Sequence, residues 1–142
     1  MKVASIEGLR CEAAALRGQL EAAFSPETAL EGEAGAVPSA GHCAAVAVIV
    51  RNRLGGSLVS AIVEGSSHWF NRIRVGAISV DVDITGDQFG RPAVQTGVEG
   101  SLYQGSRVRR SDEVREETLT RAALLARRAG LSEFDDQRLS AA

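Results

Sequence analysis

The stretch Cys43–Leu54, CAAVAVIVRNRL, is apolar almost all the way round a helix and is closed by Gly55-Gly56. Twelve residues ending at a double-glycine stop suit a helix better than a strand, although Val46, Val48, Ile49 and Val50 favour β structure. A helix apolar on every side has no face to give to water, so the rest of the chain must wrap around it. Its first residue is a cysteine, preceded by Gly41-His42, where loop becomes regular structure. A thiol at that edge is placed for use, whereas one in the middle of the run would be ordinary core.

The flanking sequence supplies candidate wrappings. Leu9, Ala13, Leu16, Leu20 and Phe24 recur at steps of three and four, which predicts an amphipathic helix over 5–24. Ser25-Pro26-Glu27 can start a further helical turn, and EGEAGAVPSAG (31–41) reads as a loop. Strands are predicted at 57–63, 67–74 and 78–85, joined by EGSS and RVGA into an antiparallel meander. The third alternates strictly, with Ile78, Val80, Val82 and Ile84 on one face and Ser79, Asp81, Asp83 and Thr85 on the other. Residues 86–106 read as irregular loop, with Phe89 and Tyr103 its only aromatics, of a kind that can lie as a flap over a site. SRVRRSDEVR (106–115) mixes bases with acids and reads as a solvated face. A last helix is expected to be capped by Ser111, with Asp112 and Glu113 in its first turn and Gly130 after its end. The expectation is a single α+β domain over 1–142, an antiparallel sheet packed against a buried helix.

Totals narrow the function. Sixteen bases against 18 acids leave a net charge of −2, which argues against a nucleic-acid partner. The longest unbroken apolar run, Cys43–Val50, is far short of a membrane span. The first twenty residues hold no continuous apolar leader, and Cys11 and Cys43 are the only cysteines. Free thiols in a reducing cytoplasm are therefore expected. No C-x-x-C or H-E-x-x-H occurs, so no metal site and no cofactor is expected.

Chemistry points to three positions. The chain has two histidines: His42 abuts Cys43, and His68 opens the second strand. With a hairpin turn near 75–77, His68 falls opposite 83–85, so Asp83 can stand beside the imidazole, while Asp81 sits nearer Asn71 on the rim. If the buried helix starts at that same edge of the sheet, the order is Cys43, His68, Asp83. A helix N-terminus and an imidazolium favour a thiolate, a carboxylate orients the imidazole, and the first helical N–H groups can receive an oxyanion. A cysteine beside an apolar helix is by itself more often a small core residue; the joint pattern is what sets Cys43 apart.

Cysteine at the start of a buried helix, then H-W on a strand, then D-x-T ending the next, resembles the transglutaminase-like core of the papain-like superfamily. GHC…GG…SHWFNRI…DVDITGDQF also resembles the small bacterial YunG-like family, over roughly 37–128. The resemblance implies Cys43 as nucleophile, His68 as base and Asp83 as orienting acid, with His42, Trp69, Asn71 and Asp81 as oxyanion or substrate-binding residues. The YunG-like pattern often carries Gln just before the cysteine, where this chain has His42. The implied function is acyl transfer from a small-molecule or peptidyl amide or thioester through a thioester acyl-enzyme. The competing expectation is a binding module of the same fold with a vestigial triad.

Overall fold

The computed structural model describes residues 4–131 apart from 31, 34 and 36. The outer ends of the expected 1–142 domain, and those three positions of the expected 31–41 loop, lie outside the described residues.

The buried helix forms as its composition requires. It runs Cys43–Leu54 (α2), and Ala45 through Val50 are all buried. Each β-branched residue costs about 0.5 kcal/mol of helix propensity relative to Ala, but burying its side chain returns about 1.5–3 kcal/mol, so packing decides. Before it, Ile6–Glu21 forms α1, with Ser5 at the N-cap accepting a hydrogen bond from Gly8 N at 2.9 Å. The helix ends three residues short of Phe24, which still packs against the core. Residues 26–28 make the expected turn after Ser25.

The strands are β1 (Ser57–Val63), β2 (Ser66–Val75), β3 (Ile78–Asp83), β4 (Gln95–Val98) and β5 (Arg107–Arg109). They form one antiparallel sheet in the order β4-β3-β2-β1-β5. The three expected strands are present, but the sheet has five. The expected 86–106 loop contains a 3-10 turn, Gly86–Phe89, and the edge strand β4. Four- and three-residue strands are too short to show an alternation.

One sheet face, with Ile73, Val75, Val80, Val82 and Ile84, packs against α1, α2 and α3 (Glu116–Arg128). The other carries Val59, Ala61 and Phe70, closed over by Tyr103. The polar side of β3 is therefore interior too, and Asp81 and Asp83 are both fully buried. α3 begins five residues later than the expected cap at Ser111. Ser111–Glu113 is a separate 3-10 turn, in which the Glu113 side chain turns back to accept from Arg110 N at 2.9 Å. Val114 and Arg115 are extended, and Glu116 and Glu117 take the acid positions at the true helix start, where the helix dipole favours them. Gly130 follows its end as expected.

The stop after α2 depends on a backbone that other residues resist. Gly56 has φ +83, and a Cβ there would lie 2.4 Å from the Arg72 carbonyl oxygen. Gly56→Ala is expected to lower the unfolding free energy by at least about 1–3 kcal/mol, read by denaturant titration. An unchanged midpoint would show that the turn can rearrange freely.

Candidate functional site

Cys43 stands at the first position of α2 and is half-buried. The first bond inside the helix is Val46 N to His42 O at 2.9 Å, so the N–H groups of Cys43, Ala44 and Ala45 precede the intrahelical ladder. No side chain caps this end. Gly41 allows the sharp entry: its φ is +78, and a Cβ would press on Ala29 Cβ and Leu30 N. The thiol lines a cleft of about 630 Å³ together with Ser66, Ser67 and Trp69 of β2, Arg109 of β5, and Arg115 and Arg121 at the head of α3.

His68 and Asp83 meet as the sequence predicts. His68 Nε2 lies 2.9 Å from Asp83 Oδ2, and both side chains are withdrawn from solvent. The hairpin register differs by one residue from expectation: Val75 pairs with Ile78, so Asp81 sits opposite Arg72 and Val82 opposite Asn71. Pairing with β2 stops there, while on the other edge of β3 the pairing with β4 runs one residue further, to Asp83 opposite Gln95. His68 reaches Asp83 through its side chain, past the last paired residues. Thr85 supports the carboxylate, donating to Oδ1 from N at 2.9 Å and from Oγ1 at 3.2 Å.

The imidazole is enclosed. Phe89 and Tyr103 stand edge-on to it, with ring centroids at 4.8 and 5.0 Å. Burial alone would lower its pKa, but the hydrogen bond to Asp83, the adjacent Cys43 thiol and the Asp83 charge outweigh that and raise it from 6.5 to about 9. Nδ1 is buried and makes no hydrogen bond. Cys43 lies next to the ring and favours the imidazolium.

The four other expected site residues divide. Trp69 lines the cleft, with the Arg109 guanidinium 4.8 Å above its ring. His42 is turned inward: its Nε2 meets Thr28 Oγ1 at 2.7 Å and its Nδ1 meets Ala40 O at 3.0 Å. Burial lowers its pKa, and its ring anchors the loop before Cys43. Asn71 is buried and donates to Ala47 O of α2 at 2.9 Å, tying helix to sheet. Asp81 is no rim residue. It accepts from Arg72 Nε at 2.6 Å, Arg72 Nη2 at 3.1 Å and Gly100 N at 2.8 Å, a buried ion pair under the 99–106 loop.

Three residues were missed. Tyr103 donates a short hydrogen bond to Asp83 Oδ2, and Gln95 donates to the Tyr103 hydroxyl at 3.0 Å. Tyr103 was one of two aromatics in its loop, a visible but unplaced signal. Arg17 lies on the buried side of α1 and bridges the site from behind. It donates to Ile84 O at 2.8 Å and to both oxygens of Asp87, whose Oδ1 also accepts from Ser39 Oγ at 2.6 Å. One guanidinium thereby couples the chain just after Asp83 to the loop leading into Cys43.

A family model described as YunG protein matches residues 12–130. The chain therefore belongs to the YunG family. No curated protein and no solved structure matches. Among the described residues no helix is long and apolar enough to cross a membrane.

A histidine whose pKa is raised on folding stabilises the fold while it is protonated. That contribution is fully present below pH 6.5 and is lost as pH rises through about 9. Unfolding free energy measured from pH 6 to 10 is expected to fall across that window in the native chain and to lose that component of the slope in His68→Gln. Equal slopes in the two proteins would contradict the raised pKa.

Proposed function

We propose that this YunG-family chain is a cysteine acyl-transfer enzyme that acts on an amide or thioester through Cys43. One observation carries the reading. A half-buried thiol stands at an uncapped helix start in a cleft, beside an imidazole whose far nitrogen is held by a buried carboxylate. A transglutaminase-like or papain-like arrangement of Cys43, His68 and Asp83 belongs to the same proposal.

The chemistry follows from which atoms are committed. His68 Nε2 is tied to Asp83, so Nδ1 is the nitrogen that exchanges protons with the site. With the raised His68 pKa favouring the imidazolium, the proton of Cys43 is held on Nδ1 in a thiolate–imidazolium pair, and the thiolate attacks the carbonyl carbon. The carbonyl π electrons move to oxygen, and the N–H groups of the first turn of α2 receive the oxyanion. As the intermediate collapses, the C–N or C–S bond breaks and the leaving group takes the proton from Nδ1. A thioester remains on Cys43. Neutral Nδ1 then removes a proton from water or an amine, which attacks the thioester carbonyl and releases the Cys43 thiolate beside an imidazolium. Trp69 and the charged rim of the cleft hold the acyl substrate.

The exposed Cys11 is an internal control. Cys43 is expected to react with iodoacetamide faster than Cys11 near neutral pH, and His68→Ala should remove the difference. Equal sluggishness at both thiols would favour a binding module of the same fold. With an activated thioester as substrate, His68→Ala should slow turnover on the order of a thousandfold. Asp83→Asn should also cost far more activity than Asp81→Asn, whose main effect should be lower stability through the lost partner of Arg72. A larger activity loss at Asp81 would overturn the assignment of the orienting acid.

A further inference from the structure

The proposed mechanism uses three side chains, yet the carboxylate at its far end is shared with a fourth. Asp83 Oδ2 accepts from His68 Nε2, from the Tyr103 hydroxyl and, at the longer distance of 3.4 Å, from Gln95 Nε2, while Oδ1 is taken by Thr85 N and Oγ1. Tyr103 is itself held in place. Gln95 Nε2 donates to its oxygen at 3.0 Å, the Arg91 guanidinium lies 4.3 Å over its ring, and Phe70 packs on it with centroids 5.1 Å apart. Packing explains a buried aromatic ring at this place. It does not explain a hydroxyl aimed at the same carboxylate oxygen that His68 uses.

We propose that Tyr103 is a positioning residue that sets how much of the Asp83 charge His68 receives. The physical argument is competition. Donors that share one oxygen each draw on its electron density, so a stronger bond from the phenol weakens the hold of the carboxylate on the imidazolium. Without the phenol, His68 would keep its proton more tightly and give it up more reluctantly to a leaving group. With it, the imidazole is moved toward the range where it can serve as both acid and base. The groups that face His68 are Cys43 from α2, Asp83 from β3, and Phe89 and Tyr103 from the covering segment, with Arg91 on the Tyr103 ring. Of these, Tyr103 can be altered without adding or removing a formal charge. Its own pKa is raised, first by burial and then by the Asp83 charge and hydrogen bond. It therefore stays a neutral donor while His68 titrates.

Tyr103 is the chain's single tyrosine, so biosynthetic incorporation of 3-fluorotyrosine alters one residue only. The fluorinated phenol keeps its place and donates more strongly; Tyr103→Phe keeps the ring and donates nothing. The His68 titration is followed by NMR in the native, fluorotyrosine and Tyr103→Phe proteins, where the lowered pKa of His42 separates the two imidazole signals. The midpoint is expected to move down in the fluorotyrosine protein and up in Tyr103→Phe, by roughly half a unit or more in each case. A midpoint unmoved by fluorine, or moved up by it, would overturn the proposal and leave Tyr103 a packing residue. The fluorotyrosine protein decides this even if Tyr103→Phe does not fold. The inference rests on the use of His68 as proton carrier, but the two fail separately. If iodoacetamide reactivity of Cys43 ignores His68 while the titration still follows Tyr103, the acyl-transfer reading fails and the charge sharing stands.

Discussion

A carboxylate taken out of water costs several kcal/mol unless hydrogen bonds replace its hydration, and Asp83 has such bonds on both oxygens. Thr85 N and Oγ1 fill one; His68 Nε2, the Tyr103 hydroxyl and the more distant Gln95 Nε2 fill the other. Bonds of this kind to a charged group contribute about 1.5–3 kcal/mol each, enough together to offset the burial. Much of the architecture follows from collecting those donors at one point. β2 pairs with β3 only as far as Val82, and β4, on the other edge of β3, carries the ladder on to Asp83. The segment carrying Tyr103 must fold back across the sheet, which closes the second hydrophobic cluster over Phe70.

Asp81 shows how much the partner decides. It lies two residues along the same strand, equally buried, and it too is fully hydrogen-bonded. Its partner is the guanidinium of Arg72, a permanent cation with no proton to exchange at ordinary pH. Asp81 therefore holds the 99–106 loop, whereas Asp83 holds a group that can change its charge. Arg17 does for the back of the site what Asp81 does for the loop. It binds Ile84 O and Asp87 together, and Ser39 of the loop that delivers Cys43 donates to the same Asp87, so the strand end that bears Asp83 is tied to that loop. The N-terminal helix is thus part of the frame around the site.

What could be read from the sequence follows the reach of each signal. The limits of α2 were plain because an all-round apolar run between a Gly-His entry and a Gly-Gly stop leaves little choice. The meeting of His68 with Asp83 was legible because a short hairpin turn fixes register to within a residue, and a long side chain absorbs the error. The edge strands β4 and β5 were illegible, being too short to alternate. Ser111 looked like a cap because the extended conformation of Val114 and Arg115 is set by tertiary contacts. Asp81 reads as a rim residue because nothing in ISVDVDIT announces that a segment twenty residues on will cover that face. His42 looked like part of the site through adjacency to Cys43, but its ring partner is Thr28, on the other side of the loop. Tyr103 acts twenty residues from Asp83, beyond any local pattern.

Acyl transfer through this site requires a covalent bond to one sulfur. Incubating the native chain with a panel of activated thioesters and amides, then measuring intact mass and mapping peptides, tests it directly. The expected result is an acyl group carried on Cys43 and absent from Cys11, accumulating when the acceptor is withheld and missing in His68→Ala. An unmodified Cys43 across the panel, or acylation divided equally between Cys43 and Cys11, would contradict it.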